Sequence, residues 1–167
     1  AARLADQSLL DLKENIYDGM TEREAVQIMH TSLFMHGADS QAFDIMVQSG
    51  VHSGKYVLAR GTDKKIRKGE LLLVDTGVRY RNYVSDMGRG FAYGEINPQQ
   101  QKLLDVALKA YEEGIQFLKP GLSSALASEA IDSVLRENGF GSMHTAAGNR
   151  KCGHGLGMDP EEEYPVM

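Results

Sequence analysis

Asp75 and Asp86 stand eleven residues apart, and His154 follows much later between two glycines. Two hard carboxylate ligands and one imidazole suit a divalent ion such as Mn²⁺, Fe²⁺, Co²⁺ or Zn²⁺. Asp75 closes the apolar run Leu71-Leu72-Leu73-Val74, where a charge is costly to bury unless it is paired or metal-bound. The spacing fits a strand, a short excursion and a returning strand, which can aim both carboxylates into one cavity. Each residue also has a plain structural reading. Asp75 can cap a hairpin turn, Asp86 can pair with Arg89 or Arg79, and a lone histidine is more often structural than catalytic. The metal reading rests on the three together.

Other reactive groups are sparser. Cys152 reads as a buried structural thiol before it reads as a nucleophile or thiolate ligand. Glu161, Glu162 and Glu163 form an acidic run that is ordinarily a solvated face, although one of them could reach the cavity as a ligand or general base. Lys64, Lys65, Arg67 and Lys68 read as a solvated loop. His30 and His36 read as helix-surface or helix-end residues, while His52 and His144 lie in loops that could line a cleft.

The elements that must carry these residues follow from periodicity. Leu4, Leu9, Leu10, Leu12 and Ile16 recur at helical spacing before Gly19. Thr21 with Glu24 is a capping-box signature for a second helix that ends near Gly37. Phe43 to Val47 reads as a strand, and Ser49 to Gly69 as loop. Leu71 to Val74, continuously apolar, predicts a strand covered on both faces, and Tyr83 to Tyr93 a second strand. Asn97-Pro98 starts a helix through Leu118, stopped by Lys119-Pro120-Gly121. Ser123 or Ser124 starts another that ends at Gly139. The order implies one α+β domain, 1–167, with helices backing a sheet.

Composition sets outer bounds. The 167 residues are enough for one core, and 42% hydrophobic with 25% charged residues is ordinary for a globular protein. A net charge of −5 argues against a non-specific nucleic-acid surface. One cysteine allows no intrachain disulfide, which fits a reducing compartment. No apolar run is long enough to span a membrane and no signal peptide is visible, so cytoplasmic is the default. Residue 1 falls inside a helical pattern, and the chain stops just after its most motif-dense segment. Both ends therefore read as cut.

The motifs taken together resemble the pita-bread metallohydrolases: methionine aminopeptidase, aminopeptidase P, prolidase and creatinase. Gly19-Met20-Thr21-Glu22 resembles the family's Gly-x-Thr-Glu, and Ser49-Gly50 its Ser-Gly at the substrate loop. Thr62-Asp63 and Lys68-Gly69-Glu70 are similar to its Thr-Asp and Lys-x-Gly-Asp. Leu73-Val74-Asp75-Thr76-Gly77 and Tyr83-Val84-Ser85-Asp86-Met87-Gly88-Arg89 resemble its two-aspartate signature. Lys119-Pro120-Gly121 and Gly153-His154-Gly155-Leu156-Gly157 match two further pieces. The resemblance implies a pita-bread fold with a curved antiparallel sheet and a missing C-terminal part. It implies that Asp75, Asp86 and His154 are three of five ligands to two divalent ions (Mn, Co, Fe or Zn), with Asp86 bridging, Asp75 on one ion and His154 on the other. The other two ligands would be glutamates beyond Met167. A domain preceding the catalytic one and a homodimer are both compatible with it. The implied reaction is metal-dependent hydrolysis of an amide bond in a small peptide or small polar amide, typically at a peptide N-terminus or before proline.

Three family histidines are replaced. One falls near Val57-Leu58-Ala59, one at Arg150 and one at Glu161. Those histidines position substrate and stabilise the tetrahedral intermediate, an oxyanion role. Leu58 cannot do this and Glu161 carries the opposite charge. Arg150 can serve as a cation and can hold a substrate carboxylate bidentately. The resemblance thus implies a retained metal site and a rebuilt substrate site, with Arg150 and Glu161 as the candidate catalytic groups. Two alternatives accompany the peptidase reading. One is creatinase-like or lyase-type chemistry on a small non-peptide molecule. The other is a catalytically silent binding module.

Overall fold

The computed structural model describes residues 1–54, 60–141 and 153–162. The chain divides into two compact units, residues 1–96 with 155–167, and residues 97–154.

The first unit begins with α1 (Ala2–Asn15), which buries Ala5, Ser8 and Leu12 at helical spacing. The second helix, α2 (Glu22–Met35), opens on the expected capping box. The Thr21 hydroxyl accepts from the Glu24 N–H at 3.1 Å, and the Glu24 carboxylate accepts from the Thr21 N–H at 2.7 Å. Six strands follow: β1 (Ser40–Gln41), β2 (Met46–Ser49), β3 (Glu70–Thr76), β4 (Val78–Tyr80), β5 (Tyr83–Val84) and β6 (Met87–Tyr93). They form two antiparallel sheets, ordered β2-β3-β6 and β1-β4-β5. Leu12, Met29 and Leu33 from the helices pack with Val47, Leu72 and Val74 from the strands, all 0–1% exposed. Each such side chain gains about 1.5–3 kcal/mol from burial, and α1 and α2 thereby back the β2-β3-β6 sheet.

Three expectations change in detail. The Leu71–Val74 strand is not covered on both faces, because Leu72 and Val74 are buried while Leu73 is 38% exposed. The sheet is antiparallel, so alternation separates a helix-backed face from its opposite, which also carries Asp75. The single strand over 83–93 breaks at Ser85–Asp86, since β5 belongs to one sheet and β6 to the other. The excursion between the aspartates is itself a hairpin. Its two-residue turn is Arg81-Asn82, with φ of 51° and 69°, the paired positive values that a type I′ turn requires.

The second unit is a helical pair, α3 (Pro98–Ile115) and α4 (Ser124–Glu137). Val106, Ala110, Val134 and Leu135 form its core. Gly114 lets the helices approach, because a Cβ there would lie 2.7 Å from Ile131. The helix expected to reach Leu118 ends at Ile115. Its last three N–H groups, on 116–118, bond three residues back, the tightened turn typical of a C-terminus.

The segment between β2 and β3 is less solvated than its composition suggests. Glu22, 0% exposed, accepts hydrogen bonds from the Ser49 N–H (2.8 Å) and hydroxyl (3.0 Å) on one oxygen. Its other oxygen accepts from the Thr62 N–H (3.2 Å) and hydroxyl (2.8 Å). His52 Nδ1 lies 3.2 Å from both oxygens. A carboxylate only accepts, so Nδ1 is the protonated ring nitrogen. Lys64, expected in a solvated loop, reaches inward. Its Nζ is 2.8 Å from the Ser49 hydroxyl and from both Glu70 carboxylate oxygens. Burial opposes ionisation of Glu22, yet the bonds from Thr62, His52 and Ser49 outweigh it and hold the carboxyl below its ordinary range.

Removing one partner from such a buried charged network costs about 3–5 kcal/mol, so Glu22→Ala is expected to unfold at markedly lower denaturant. Because the folded pKa is depressed, the stabilisation is full above the ordinary value of 4.5 and is lost as pH falls through the lower folded value. Denaturation of Glu22→Gln across pH 2 to 7 should show lower stability near neutrality and a flatter acid limb than the parent. An acid limb as steep as the parent's would mean that other carboxyls carry it.

Candidate metal centre

The register of β3 and β6 decides the face on which Asp75 stands. Asp75 pairs with Gly88, and Thr76 with Met87. Residues directly opposite in an antiparallel pair point to one face, so Asp75 and Gly88 share a face. Asp86 immediately precedes β6, at the point where the chain returns from the second sheet. Both aspartates are half-buried, and Asp75 lies on the side of the sheet opposite Leu72 and Val74.

Two glycines shape the surroundings. Gly77 links β3 to β4, where a Cβ would lie 2.4 Å from both the Phe43 ring and the Ser85 carbonyl oxygen. Only glycine passes that close. The chain turns there into the second sheet, pairs Val78 with Ser85 through N–H to carbonyl (2.9 Å) and N–H to hydroxyl (3.1 Å) bonds, and returns at Asp86. Gly88 is the opposite case: a Cβ there would meet nothing within 4 Å. The position opposite Asp75 is therefore clear of side chain. The donor chemistry and this clearance both fit a hard divalent ion.

His154 is exposed and is the last residue of the second unit. The segment after it is tied into the first. Gly155 and Glu162 bridge each other (3.1 and 3.0 Å), and the Glu162 carboxylate accepts from the Met158 N–H at 2.6 Å and the Asp159 N–H at 3.2 Å. The Val84 N–H donates to the Gly157 carbonyl at 2.8 Å. Of the acidic run, Glu162 is thus a loop-closing residue and Glu161 is exposed. Arg150, Cys152, His144, Leu58 and Glu163 lie outside the described residues. Among the described residues, no group of three or more His, Cys, Asp or Glu side chains stands close enough to hold a metal ion. What the strand register fixes is the face of Asp75, with Asp86 at the entry to the neighbouring strand.

Sequence reading had not assigned the Glu22 knot. Its members stood in separate short motifs, Thr21-Glu22, Ser49-Gly50, Thr62-Asp63 and Lys68-Gly69-Glu70, whose joint recurrence was the signal. His52, read as a loop residue that could line a cleft, bonds Glu22.

The architecture is that of the pita-bread fold. The sequence profile of metallopeptidase family M24 matches residues 1–167, and the chain belongs to that family. Xaa-Pro dipeptidase from Pyrococcus horikoshii is 30% identical over 164 residues, covering 97% of this chain and 45% of the relative. Prolidase from Pyrococcus furiosus superposes with a TM-score of 0.89 at 29% identity, over 99% of this chain and 47% of that one. Xaa-Pro dipeptidase from Bacillus anthracis gives 0.90 at 29% identity, over 99% and 45%. The chain spans just under half the length of the curated relatives it matches.

Gly88→Val tests the clearance opposite Asp75. Valine favours strands and its Cβ meets no neighbour, so thermal stability without metal should hold. Its methyl groups would fill the space facing Asp75, and Mn²⁺ affinity measured by calorimetry should fall. Parent-like affinity would mean that ions do not sit on this face.

Proposed function

We propose that this chain is part of the catalytic region of a divalent-metal-dependent hydrolase that cleaves an amide or peptide bond, with Xaa-Pro dipeptides and related N-terminal substrates as the first class. The observation that carries the reading is Asp75 facing the open position at Gly88, with Asp86 leading into the same strand, in a chain of family M24. Asp75, Asp86 and His154 are the groups proposed to hold two divalent ions, of which manganese is the first to try. Bound there, the ions would supply an activated water and polarise the scissile carbonyl. The tie between Val84 and Gly157 supports the inclusion of His154, since it fixes the chain three residues past the histidine beside the strand that leads to Asp86.

The chain's own residues would do the rest. Arg150 is proposed to hold a substrate carboxylate through its guanidinium fork. Glu161, exposed on the loop after His154, is proposed to accept a proton as general base. A second reading, chemistry on a small non-peptide molecule, draws support from Leu58, Arg150 and Glu161 standing where the proline-directed relatives carry histidines. No helix among the described residues is long and apolar enough to cross a membrane. We place the activity in the cytoplasm, in keeping with a single cysteine.

Two experiments on the intact protein test this reading. Calorimetric titration with Mn²⁺ should show two sites per chain, and Asp86→Asn should abolish hydrolysis of Xaa-Pro dipeptides and sharply weaken binding. Unchanged activity in that variant would remove Asp86 from the site. Arg150→Ala should raise KM for substrates bearing a free carboxylate and leave KM for their amides unchanged. An equal rise for both would make Arg150 structural.

A further inference from the structure

A groove of about 470 Å³ opens between α1 and α2 of the first unit, lined by helix and turn residues alone. On α2, Glu24, Gln27, Ile28, Thr31 and Met35 recur at helical spacing, so they share one face. Asp11 and Asn15 supply the wall from α1. Met20, 1% exposed, and the partly buried Ile28 give the groove an apolar floor. Tyr17 closes the end at the turn between the helices.

The groove carries a carboxylate towards each end, and no lysine or arginine lines it. At one end Asp11 Oδ2 accepts from the Ser32 hydroxyl at 2.6 Å and lies 3.0 Å from His36 Nε2, while Oδ1 accepts from the Gln7 amide at 3.0 Å. At the other end Glu24 Oε2 accepts from the Thr21 N–H at 2.7 Å and hydroxyl at 2.8 Å, and the Tyr17 hydroxyl donates to Oε1 at 3.4 Å. Ser32 foremost holds the Asp11 carboxyl below its ordinary range, and the Thr21 N–H foremost does the same for Glu24. Among the described residues neither carboxylate is ion-paired with lysine or arginine, and Lys65 acts on Glu24 only through space. Ser32 stands eight residues after Glu24 on α2, so the carboxylate it bonds and that of Glu24 are about 12 Å apart along the helix.

We propose that this groove binds a linear aliphatic polyamine, with one terminal ammonium at Asp11, the other at Glu24, and the methylene chain laid over Met20 and Ile28. Both halves of such a molecule are matched: its cations meet the two carboxylates, and its apolar stem covers the floor as a lysine stem covers apolar surface. Length selects among polyamines. A triamine with nine bonds between its terminal nitrogens, as many as three extended residues contain, spans about 10–11 Å, whereas the five bonds of a four-carbon diamine span about 6 Å and cannot reach both ends. The site is independent of the metal-binding face at Asp75.

Calorimetry of the intact protein with spermidine and with putrescine tests the proposal. Spermidine should bind more tightly than putrescine, and its affinity should fall as salt is raised. Asp11→Asn and Glu24→Gln each remove one charge and keep an acceptor, the glutamine still suiting the capping box. Each should weaken spermidine by about 2- to 5-fold, and the double variant by about 10-fold, because the two sites are far enough apart to add. Thr31→Arg places a guanidinium in the groove from an exposed helix position and should abolish binding, with the melting temperature confirming that the variant is folded. Glu112→Gln combined with Glu113→Gln removes two exposed charges from α3 and should leave binding as in the parent. Absence of spermidine binding to the parent overturns the proposal. So does equal affinity for the two amines, or a loss in the α3 variant as large as in the groove variants, because the protein's general negative charge would then account for the binding.

Discussion

The burial of one carboxylate organises the first unit. Glu22 begins α2 and has no contact with water. An ion in that position is tolerable only when every lone pair is met. Ser49 supplies donors from the end of β2, Thr62 from the segment before β3, and His52 from the short helical turn between them. Backbone bonds reinforce the same junction, with the Glu22 and Arg23 N–H groups donating to the Lys64 and Thr62 carbonyls at 3.0 Å each. Donors 27 to 40 residues away in sequence are thereby fixed to one helix N-terminus, where the macrodipole also favours negative charge. Lys64 and Glu70 extend the network to the start of β3. The junction ties the N-terminus of α2 to the start of β3, the strand that carries Asp75.

From there the geometry is propagated by hydrogen-bond register. Once Glu70 pairs with Tyr93, every pair down to Thr76 and Met87 is determined, and a slip of one residue would turn Asp75 to the helix-backed side. The core prevents the slip, because Leu72 and Val74 would have to leave it. Stability and site geometry are therefore one constraint: the same alternation that buries two apolar side chains presents the carboxylate on the opposite face. The hairpin between the aspartates serves the site in another way. It returns the chain to β6 at the right residue and offers Arg79 and Val84 as anchors for the loop after His154.

Much of this was legible in the residues. The capping box at Thr21, the Asn97 cap before Pro98, the glycine and proline stops, and the helical periodicity of α1 to α4 are local features, and local physics reproduces them. The aspartate spacing announced a strand and its return. The excursion was read as a simple connection because its turn, Arg81-Asn82, carries no glycine, although asparagine accepts positive φ. Leu71 to Val74 read as doubly covered because continuous apolar sequence resembles a central parallel strand. The Lys64–Lys68 stretch read as solvated because composition does not show that Lys64 reaches the buried Ser49 hydroxyl and the half-buried Glu70 carboxylate.

The sequence by itself determined the family and the helices with their caps, because these depend on residue type and on neighbours a few positions away. Only the tertiary structure decided that Glu22 is the common anchor of three motifs, that Gly88 clears the position opposite Asp75, and that Arg79 joins the histidine's loop to the hairpin. These are contacts between segments as much as 79 residues apart. No local pattern encodes them, because burial and register exist only once the strands have paired.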